Sequence, residues 1–115
     1  MKYILLIYED EANFVGGKDT PSYRAMVASH MALAGELAAQ GVLQAGSGLA
    51  FTTEAKTVRT SRGKKMLHDG PFAETREQLG GYYVIEVADL DAALAIAHRV
   101  PLGADGAIEV RPLSD

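Results

Sequence analysis

Residues 2–8 form a strand-like run in which both alternating sets of side chains are apolar. The two sets are Ile4, Leu6 and Tyr8 on one side, and Tyr3, Leu5 and Ile7 on the other. Because successive side chains of a strand point to opposite faces of a sheet, a strand of this kind needs an apolar cover on both sides. The fold of this chain must therefore place a sheet between two layers.

The composition is that of one globular domain spanning residues 1–115, with 48% apolar and 23% charged residues. The net charge is −4 and the basic residues are mostly dispersed, so nucleic acid is not an expected partner. Cysteine is absent, which excludes disulfides and thiolate chemistry and fits a reducing compartment. The apolar run near the N-terminus is too short to span a membrane. We therefore expect a cytoplasmic protein with no membrane partner.

Caps and periodicity predict two helices and further strands. Thr20-Pro21 is typical of a helix start, and apolar residues at three- and four-residue steps continue towards Gly41. Asp89 is the predicted cap of a second helix, which ends before Pro101. Further strands are predicted at 42–50, 82–87 and 107–112, with a short polar hairpin at 57–68 and a long loop at 69–81.

With the hairpin set aside, the element order is β-α-β-β-α-β. This order predicts an α+β, ferredoxin-like plait, in which both helices cover one face of a four-stranded antiparallel sheet. The other face would expose tyrosine and leucine side chains from 2–8 and 82–87, which a soluble monomer rarely does. We therefore expect a homodimer that pairs as a dimeric α/β barrel and forms a cavity for a small-molecule ligand.

The run from Asp69 to Tyr83, Asp-Gly-Pro-Phe-Ala-Glu-Thr-Arg-Glu-Gln-Leu-Gly-Gly-Tyr-Tyr, resembles the signature of YCII-related proteins of the DGPF type. The opening strand, Gly41-Val42-Leu43 and the tail at 108–112 extend the resemblance over nearly the whole chain. It implies a ferredoxin-like fold forming dimeric barrels, in a group whose members mostly lack an assigned activity. Such relatives include a dehydrochlorinase acting on a chlorinated hydroxyquinol, and some DGPF proteins accompany alternative sigma factors.

His30 is the leading candidate for catalysis because its spacing places it on the inward stripe of the first helix. An imidazole titrates near neutral pH, which suits it to proton transfer. The resemblance implies a His–Asp pair, and His30 occupies the position of the helical histidine. No residue matches the acidic partner by motif, so Asp69 in the signature is the candidate. The alternatives are a hydrogen-bonded core histidine and a turn-forming aspartate.

Four further residues are candidates for substrate binding. Tyr23 shares the inward stripe with His30, and Phe72 either lines a pocket or packs in the core. Glu74 either folds back over the mouth of the barrel or lies on a solvated face. Tyr82 offers a phenol as an acid or anion-orienting donor, or packs at an interface with its hydroxyl bonded at the rim.

Other motifs exclude some kinds of site. Gly46-Ser47-Gly48 lacks the Lys-Ser/Thr pair or third glycine of a phosphate-binding loop. The three histidines are scattered without ligand spacing, so we expect neither a metal nor a cofactor. Gly80-Gly81 predicts a bulge or a close backbone approach.

Two classes of function follow from these residues. The first is a cofactor-free lyase or isomerase that performs acid–base chemistry on a small oxygenated ring compound in a dimer-formed cavity. The second is a non-catalytic binding or regulatory module. Such a module would sense a metabolite or engage a protein partner, such as a sigma factor, through the acidic segment 69–81.

Overall fold

The computed structural model describes residues 1–114 and contains two helices, a four-stranded antiparallel sheet and a separate two-stranded hairpin. The strands are β1 (Lys2–Asp10), β2 (Leu43–Gly48), β3 (Lys56–Ser61), β4 (Lys64–Asp69), β5 (Glu77–Glu86) and β6 (Ala107–Pro112). The helices are α1 (Pro21–Ala39) and α2 (Leu90–Ala97). Short 3₁₀ turns lie at Glu11–Phe14 and Thr52–Glu54.

The main sheet has the strand order β2-β5-β1-β6, and all neighbouring strands are antiparallel. Each helix connects two strands that are separated by one other strand, as in a β-α-β-β-α-β plait. The predicted α+β class is therefore confirmed, and the arrangement is compatible with a ferredoxin-like fold. The predicted hairpin forms β3 and β4, and its turn residues Arg62 and Gly63 have φ values of 51° and 79°.

The predicted helix starts are confirmed by side-chain caps. Thr20 Oγ1 accepts a hydrogen bond from the backbone N–H of Tyr23 at 3.3 Å, and Pro21 is the first helical residue. The Asp89 carboxylate accepts a hydrogen bond from the backbone N–H of Ala92 at 2.9 Å. Each cap satisfies an N–H that has no partner within the first helical turn.

Both helices cover the same face of the sheet. The buried cluster between them is formed by Tyr3, Leu5, Ile7, Leu33, Leu37, Tyr83, Ile85, Ala93 and Val100. Helix α1 enters this cluster only through its C-terminal half, with Leu33 and Leu37, whereas Val27 of its N-terminal half is exposed. A fully buried leucine contributes about 1.5–3 kcal/mol, so α1 is held mainly by its C-terminal half. Space remains beneath the N-terminal half.

The opposite face of the sheet is apolar and only half-buried. On β1 it carries Ile4, Leu6 and Tyr8, and on β5 the paired positions are Val84 and Tyr82. The two apolar sets predicted for β1 are therefore both present, and only one of them is covered by the helices.

The predicted loop 69–81 differs from the structure because β5 begins at Glu77, before the predicted strand start at Tyr82. Glu77 pairs with Asp10 at the end of β1. Further along, Tyr8 pairs with Leu79 but Ile7 pairs with Gly81. The register therefore shifts by one residue, and Gly80 is the extra residue of a bulge. The predicted bulge is thus confirmed, and it interrupts the side-chain alternation by which the start of β5 would have been recognised.

Candidate functional site

A cavity of about 250 Å³ lies between the N-terminal half of α1 and the β2–β5 side of the sheet. Its walls are mainly apolar and include Ile7, Met26, Val27, Met31, Leu43 and Leu49. These residues all belong to one chain, so this cavity forms without a partner. A cavity enclosed by two chains stays a prediction. The space opens on the helix-covered face because α1 does not pack on the sheet along its whole length.

His30 and Tyr83 form a hydrogen-bonded pair in the cavity wall. Nδ1 of His30 lies 2.8 Å from the phenolic oxygen of Tyr83, and the rings meet edge to face with centroids 6.0 Å apart. The same oxygen lies 3.3 Å from the backbone carbonyl oxygen of His30. A phenol carries one proton and can donate it to only one of these acceptors. The shorter distance makes the imidazole contact the stronger of the two.

The positions of the pair follow from α1 and β5. His30 lies seven residues after Tyr23 on the inward side of α1, and both line the cavity. Tyr83 belongs to the buried set of β5 and pairs with Leu5 of β1. Gly46 of β2 leaves room for the Tyr83 ring, because a Cβ atom at Gly46 would lie 3.0 Å from Cδ1 of that ring.

Burial sets the protonation states of the pair. It lowers the pKa of His30 below its ordinary value because the imidazolium loses hydration, while the backbone carbonyl of Pro101 acts in the opposite direction. Burial also raises the pKa of the Tyr83 phenol. Both groups are therefore neutral near pH 7. A neutral imidazole is the form that accepts a proton.

The pair has two neutral tautomeric arrangements, and each can accept a proton. In the first, Tyr83 donates its hydrogen to Nδ1 of His30, and Nε2 carries the imidazole hydrogen. In the second, the Nδ1–H group of His30 donates to Tyr83, and Nε2 carries no hydrogen. An incoming proton binds at the phenolic oxygen in the first arrangement, as the phenol proton moves to Nδ1, and at Nε2 in the second.

Three aromatic rings close one end of the cavity. Phe14 and Tyr23 meet edge to face with centroids 5.3 Å apart, and Phe51 stacks on Phe14 at 6.5 Å. The Lys18 ammonium lies 5.5 Å from the ring centroid of Tyr23 and 5.3 Å from that of Phe51, within the range of cation–π attraction. Tyr23, a predicted binding residue, thus offers a planar ligand an aromatic wall.

Two carboxyl groups also line the cavity. Glu9 is only 8% exposed, and its two oxygens both accept from the backbone N–H of Gly103, at 3.0 and 3.2 Å. Burial raises the pKa of Glu9, and the Gly103 hydrogen bond acts in the opposite direction. Glu11 accepts from the backbone N–H and the hydroxyl of Thr52, at 2.9 and 2.6 Å. These bonds fix both side chains within the fold.

The structure does not bring Asp69 to His30. Asp69 is the last residue of β4, its side chain is 81% exposed, and its carboxylate bonds the Lys56 ammonium at 2.8 Å. The group that meets the imidazole is instead the Tyr83 phenol. Within one chain the imidazole therefore pairs with a tyrosine and not with Asp69, because the hairpin that ends in Asp69 is separate from the main sheet.

The remaining predicted binding residues lie outside this cavity. Phe72 is 72% exposed and does not pack in the core. The Arg59 guanidinium lies 5.2 Å from the centroid of its ring, which lines a second, more open pocket. Glu74 is exposed on the loop before β5. Tyr82 lies on the opposite face of the sheet from Tyr83, because adjacent strand residues point to opposite faces.

Three polar residues that line the cavity were not predicted from the sequence: Tyr83, Glu9 and Glu11. A signal for Glu9 was present, since it continues the alternating set that contains Leu5 and Ile7 and would share their buried face. Tyr83 could not be preferred over Tyr82, because both sets of β5 are bulky. Glu11 follows the end of the strand, where periodicity no longer predicts direction.

Within residues 1–114, no group of three or more His, Asp or Glu side chains is arranged to hold a metal ion. Neither helix in that part of the chain is both long and apolar enough to cross a membrane.

Comparisons with known proteins agree with the resemblance seen in the sequence. The model of the YCII-related domain matches residues 1–115. An uncharacterized protein of Rhizobium meliloti (strain 1021) is 38% identical over 116 residues, which cover 99% of this chain and 93% of that protein. On both grounds, the chain belongs to the YCII-related family.

Proposed function

We propose that this protein is a cofactor-free enzyme that transfers a proton on a small, oxygenated ring compound bound in the α1 cavity. The observation that carries the proposal is the His30–Tyr83 pair, with its 2.8 Å hydrogen bond, in the wall of a mainly apolar cavity. A neutral base in an apolar environment is suited to abstracting a proton from carbon, because little water competes for it.

The step is a proton transfer from a carbon next to a carbonyl group of the ligand. The C–H proton moves to the His30–Tyr83 pair, and the electrons of the C–H bond move to the carbonyl oxygen, which forms an enolate. Where the enolate is conjugated with a C=C bond of the ligand ring, return of the proton to the far carbon of that bond shifts the double bond and gives an isomer. Loss of a leaving group from the neighbouring carbon gives an unsaturated product, and the enzyme is then a lyase. Neither outcome requires a redox partner.

The size of the cavity limits the ligand. Sites for drug-sized ligands have volumes of roughly 300–1,000 Å³, and this cavity measures about 250 Å³. It therefore suits a compound of one or two rings. The aromatic wall of Phe14, Tyr23 and Phe51 favours a planar ring, through stacking and edge contacts.

The proposal is tested by binding and by isotope exchange. A panel of ring ketones, lactones and hydroxylated ring compounds is screened for thermal stabilisation of the wild-type protein, since a ligand stabilises in proportion to the logarithm of its concentration above Kd. Hits with a carbonyl group are then incubated in D₂O, and deuterium uptake next to the carbonyl is followed by NMR. We expect His30→Gln to slow exchange by about 10²–10⁴-fold.

Two outcomes oppose the proposal. If compounds bind but none of them takes up deuterium, the protein is a binding module instead of an enzyme. Exchange at an equal rate in wild type and His30→Gln would remove the His30–Tyr83 pair from the chemistry. Tyr82→Phe serves as a control, because it removes a phenol from the opposite face of the sheet and should leave exchange unchanged.

We further propose that the half-buried sheet face pairs with the same face of a second chain. The support is the apolar set of Ile4, Leu6, Tyr82 and Val84, which a soluble monomer rarely leaves open to water. Sedimentation at micromolar concentration should give a dimer for wild type. Leu6→Lys, which places a charge in the centre of this face, should give monomers. A monomeric wild type would contradict the proposal.

A further inference from the structure

We infer that Glu9 forms a second polar subsite of the cavity, which binds a hydroxyl or amino group at the end of the ligand away from His30 and Tyr83. The inference rests on the proposed function of the cavity and adds a substrate class to it. That class is an elongated, mainly apolar ring compound with one polar group at each end.

The hydrogen bonds of Glu9 leave part of its carboxyl group available. Both oxygens share one donor, the backbone N–H of Gly103, although a carboxylate offers about four acceptor positions. Glu9 is buried, with only 8% of its surface exposed, and its side chain lines the cavity. A buried carboxyl group with unused acceptor positions is stabilised by any ligand donor that reaches it.

The carboxyl group is held in a fixed position. Cβ atoms at Gly103 and Gly106 would lie 3.0 and 3.2 Å from Oε2 of Glu9, so the backbone of this loop approaches the carboxyl closely because both residues are glycine. The same loop is fastened by Asn13, whose Nδ2 donates to the carbonyl oxygen of Ala104 at 2.8 Å. A group held in this way loses little freedom on binding a ligand.

The register of the sheet separates the two polar groups. Tyr83 pairs with Leu5 of β1, and Glu9 lies four residues further along the same strand. At about 3.3 Å per residue, the two backbone positions are roughly 13 Å apart. A ligand that touches both groups must therefore be longer than one ring, and its middle must cross the apolar wall at Ile7.

The charges at this end of the cavity restrict the polar group that fits. Glu9 and Glu11 both line it, so a ligand carboxylate or phosphate would meet two acidic groups. Gln78 pairs with Glu9 across the strands, but its Nε2 already donates to the carbonyl oxygens of Ala73 and Thr75. A hydrogen-bond donor such as a hydroxyl or an amine is therefore favoured over an anion.

The inference is tested with three probes of nearly equal shape, measured by calorimetry. They are para,para′-biphenol, with a hydroxyl at each end; para-phenylphenol, with one hydroxyl; and the biphenyl with a hydroxyl at one end and a carboxylate at the other. For wild type we expect biphenol to bind about tenfold more tightly than phenylphenol, the equivalent of one hydrogen bond. The carboxylate should bind more weakly than phenylphenol.

Variants separate a ligand-binding role from a structural one. Glu9→Met removes the polar group at similar length and should abolish the tenfold preference, whereas Glu9→Gln should keep part of it. Thermal unfolding of each variant establishes that it is folded. If Glu9 only holds the Gly103 loop, Glu9→Met lowers Tm and leaves the affinity ratio unchanged, which would overturn the inference.

His30→Gln distinguishes this inference from the proposed function. It should lose isotope exchange and retain the preference for biphenol, because Glu9 is intact. Equal affinity of wild type for biphenol and phenylphenol would overturn the Glu9 subsite alone. Failure of both compounds to bind wild type would overturn the ligand-binding role of the cavity and this inference together.

Discussion

Nδ1 of His30 on α1 lies 2.8 Å from the phenolic oxygen of Tyr83 on β5, so a hydrogen bond between these two side chains joins the helix layer to the centre of the sheet. This bond lies where α1 separates from the sheet and the cavity begins. The same contact therefore contributes to the stability of the fold and, in the proposed function, to proton transfer in the cavity. Substitutions at Tyr83 should affect both properties.

Tyr83→Phe should destabilise the protein by about 1–3 kcal/mol, because it removes the phenol and leaves a half-buried imidazole without that partner. Equilibrium unfolding in urea measures the change. Tyr82→Phe is the matched control on the other face of the same strand and should change stability by less than about 0.5 kcal/mol. Equal losses of stability in the two variants would show that the His30–Tyr83 hydrogen bond makes no net contribution to the free energy of unfolding.

Gly46→Ala should be destabilising by about 1–3 kcal/mol and should displace the Tyr83 ring. The added Cβ would lie 3.0 Å from Cδ1 of that ring and 3.2 Å from the carbonyl oxygen of Tyr82. Gly48→Ala, on the same strand, meets no atom within 4 Å and serves as the control. Equilibrium unfolding of both variants tests the prediction, and equal stability of the two would contradict it.

The pH dependence of stability should carry a contribution from His30. Burial lowers the pKa of His30 in the folded chain, so the unfolded chain takes up the proton first as the pH falls. The contribution is fully present above the ordinary histidine pKa and is lost as the pH falls through that value towards the lower pKa of the folded chain. Thermal unfolding across this range should show a shallower loss for His30→Gln than for wild type. A steeper loss would indicate a pKa shift in the opposite direction.

Glu9 should act on stability in the opposite sense. Burial raises its pKa, so the folded chain retains the proton to higher pH than the unfolded chain does. The stabilising contribution is complete below the ordinary glutamate pKa and is lost as the pH rises through the folded value. The stability of Glu9→Gln relative to wild type should therefore increase with pH. Unfolding in urea at a series of pH values measures this difference, and a constant or falling difference would contradict the prediction.

Much of the fold could be predicted from local signals. The caps at Thr20 and Asp89 and the strand at 107–112 are found as predicted because they depend on neighbouring residues alone. The start of β5 was missed because the bulge at Gly80 breaks the alternation. Pairing in a sheet depends on distant partners, and no local pattern reports them.

The candidate site was predicted in part, for a related reason. His30 and Tyr23 lie on one helical stripe, and the structure places both at the cavity. The partner of His30 could not be chosen, because both faces of β5 carry a tyrosine and the pattern does not indicate which face the helices cover. Asp69 was named as a candidate partner because of its place in a motif, with a turn-forming role as the alternative, and its position on a separate hairpin could not be derived from spacing.

The most direct test of the catalytic proposal is nitrogen NMR of the His30 imidazole, with and without saturating para,para′-biphenol. At pH 7 we predict a neutral ring with one protonated nitrogen, whose resonances change when the ligand binds. The resonances of His98, which is exposed at the C-terminus of α2, should not change. A protonated His30 at pH 7, or His30 resonances unaffected by bound ligand, would contradict a role for His30 as the base in the cavity.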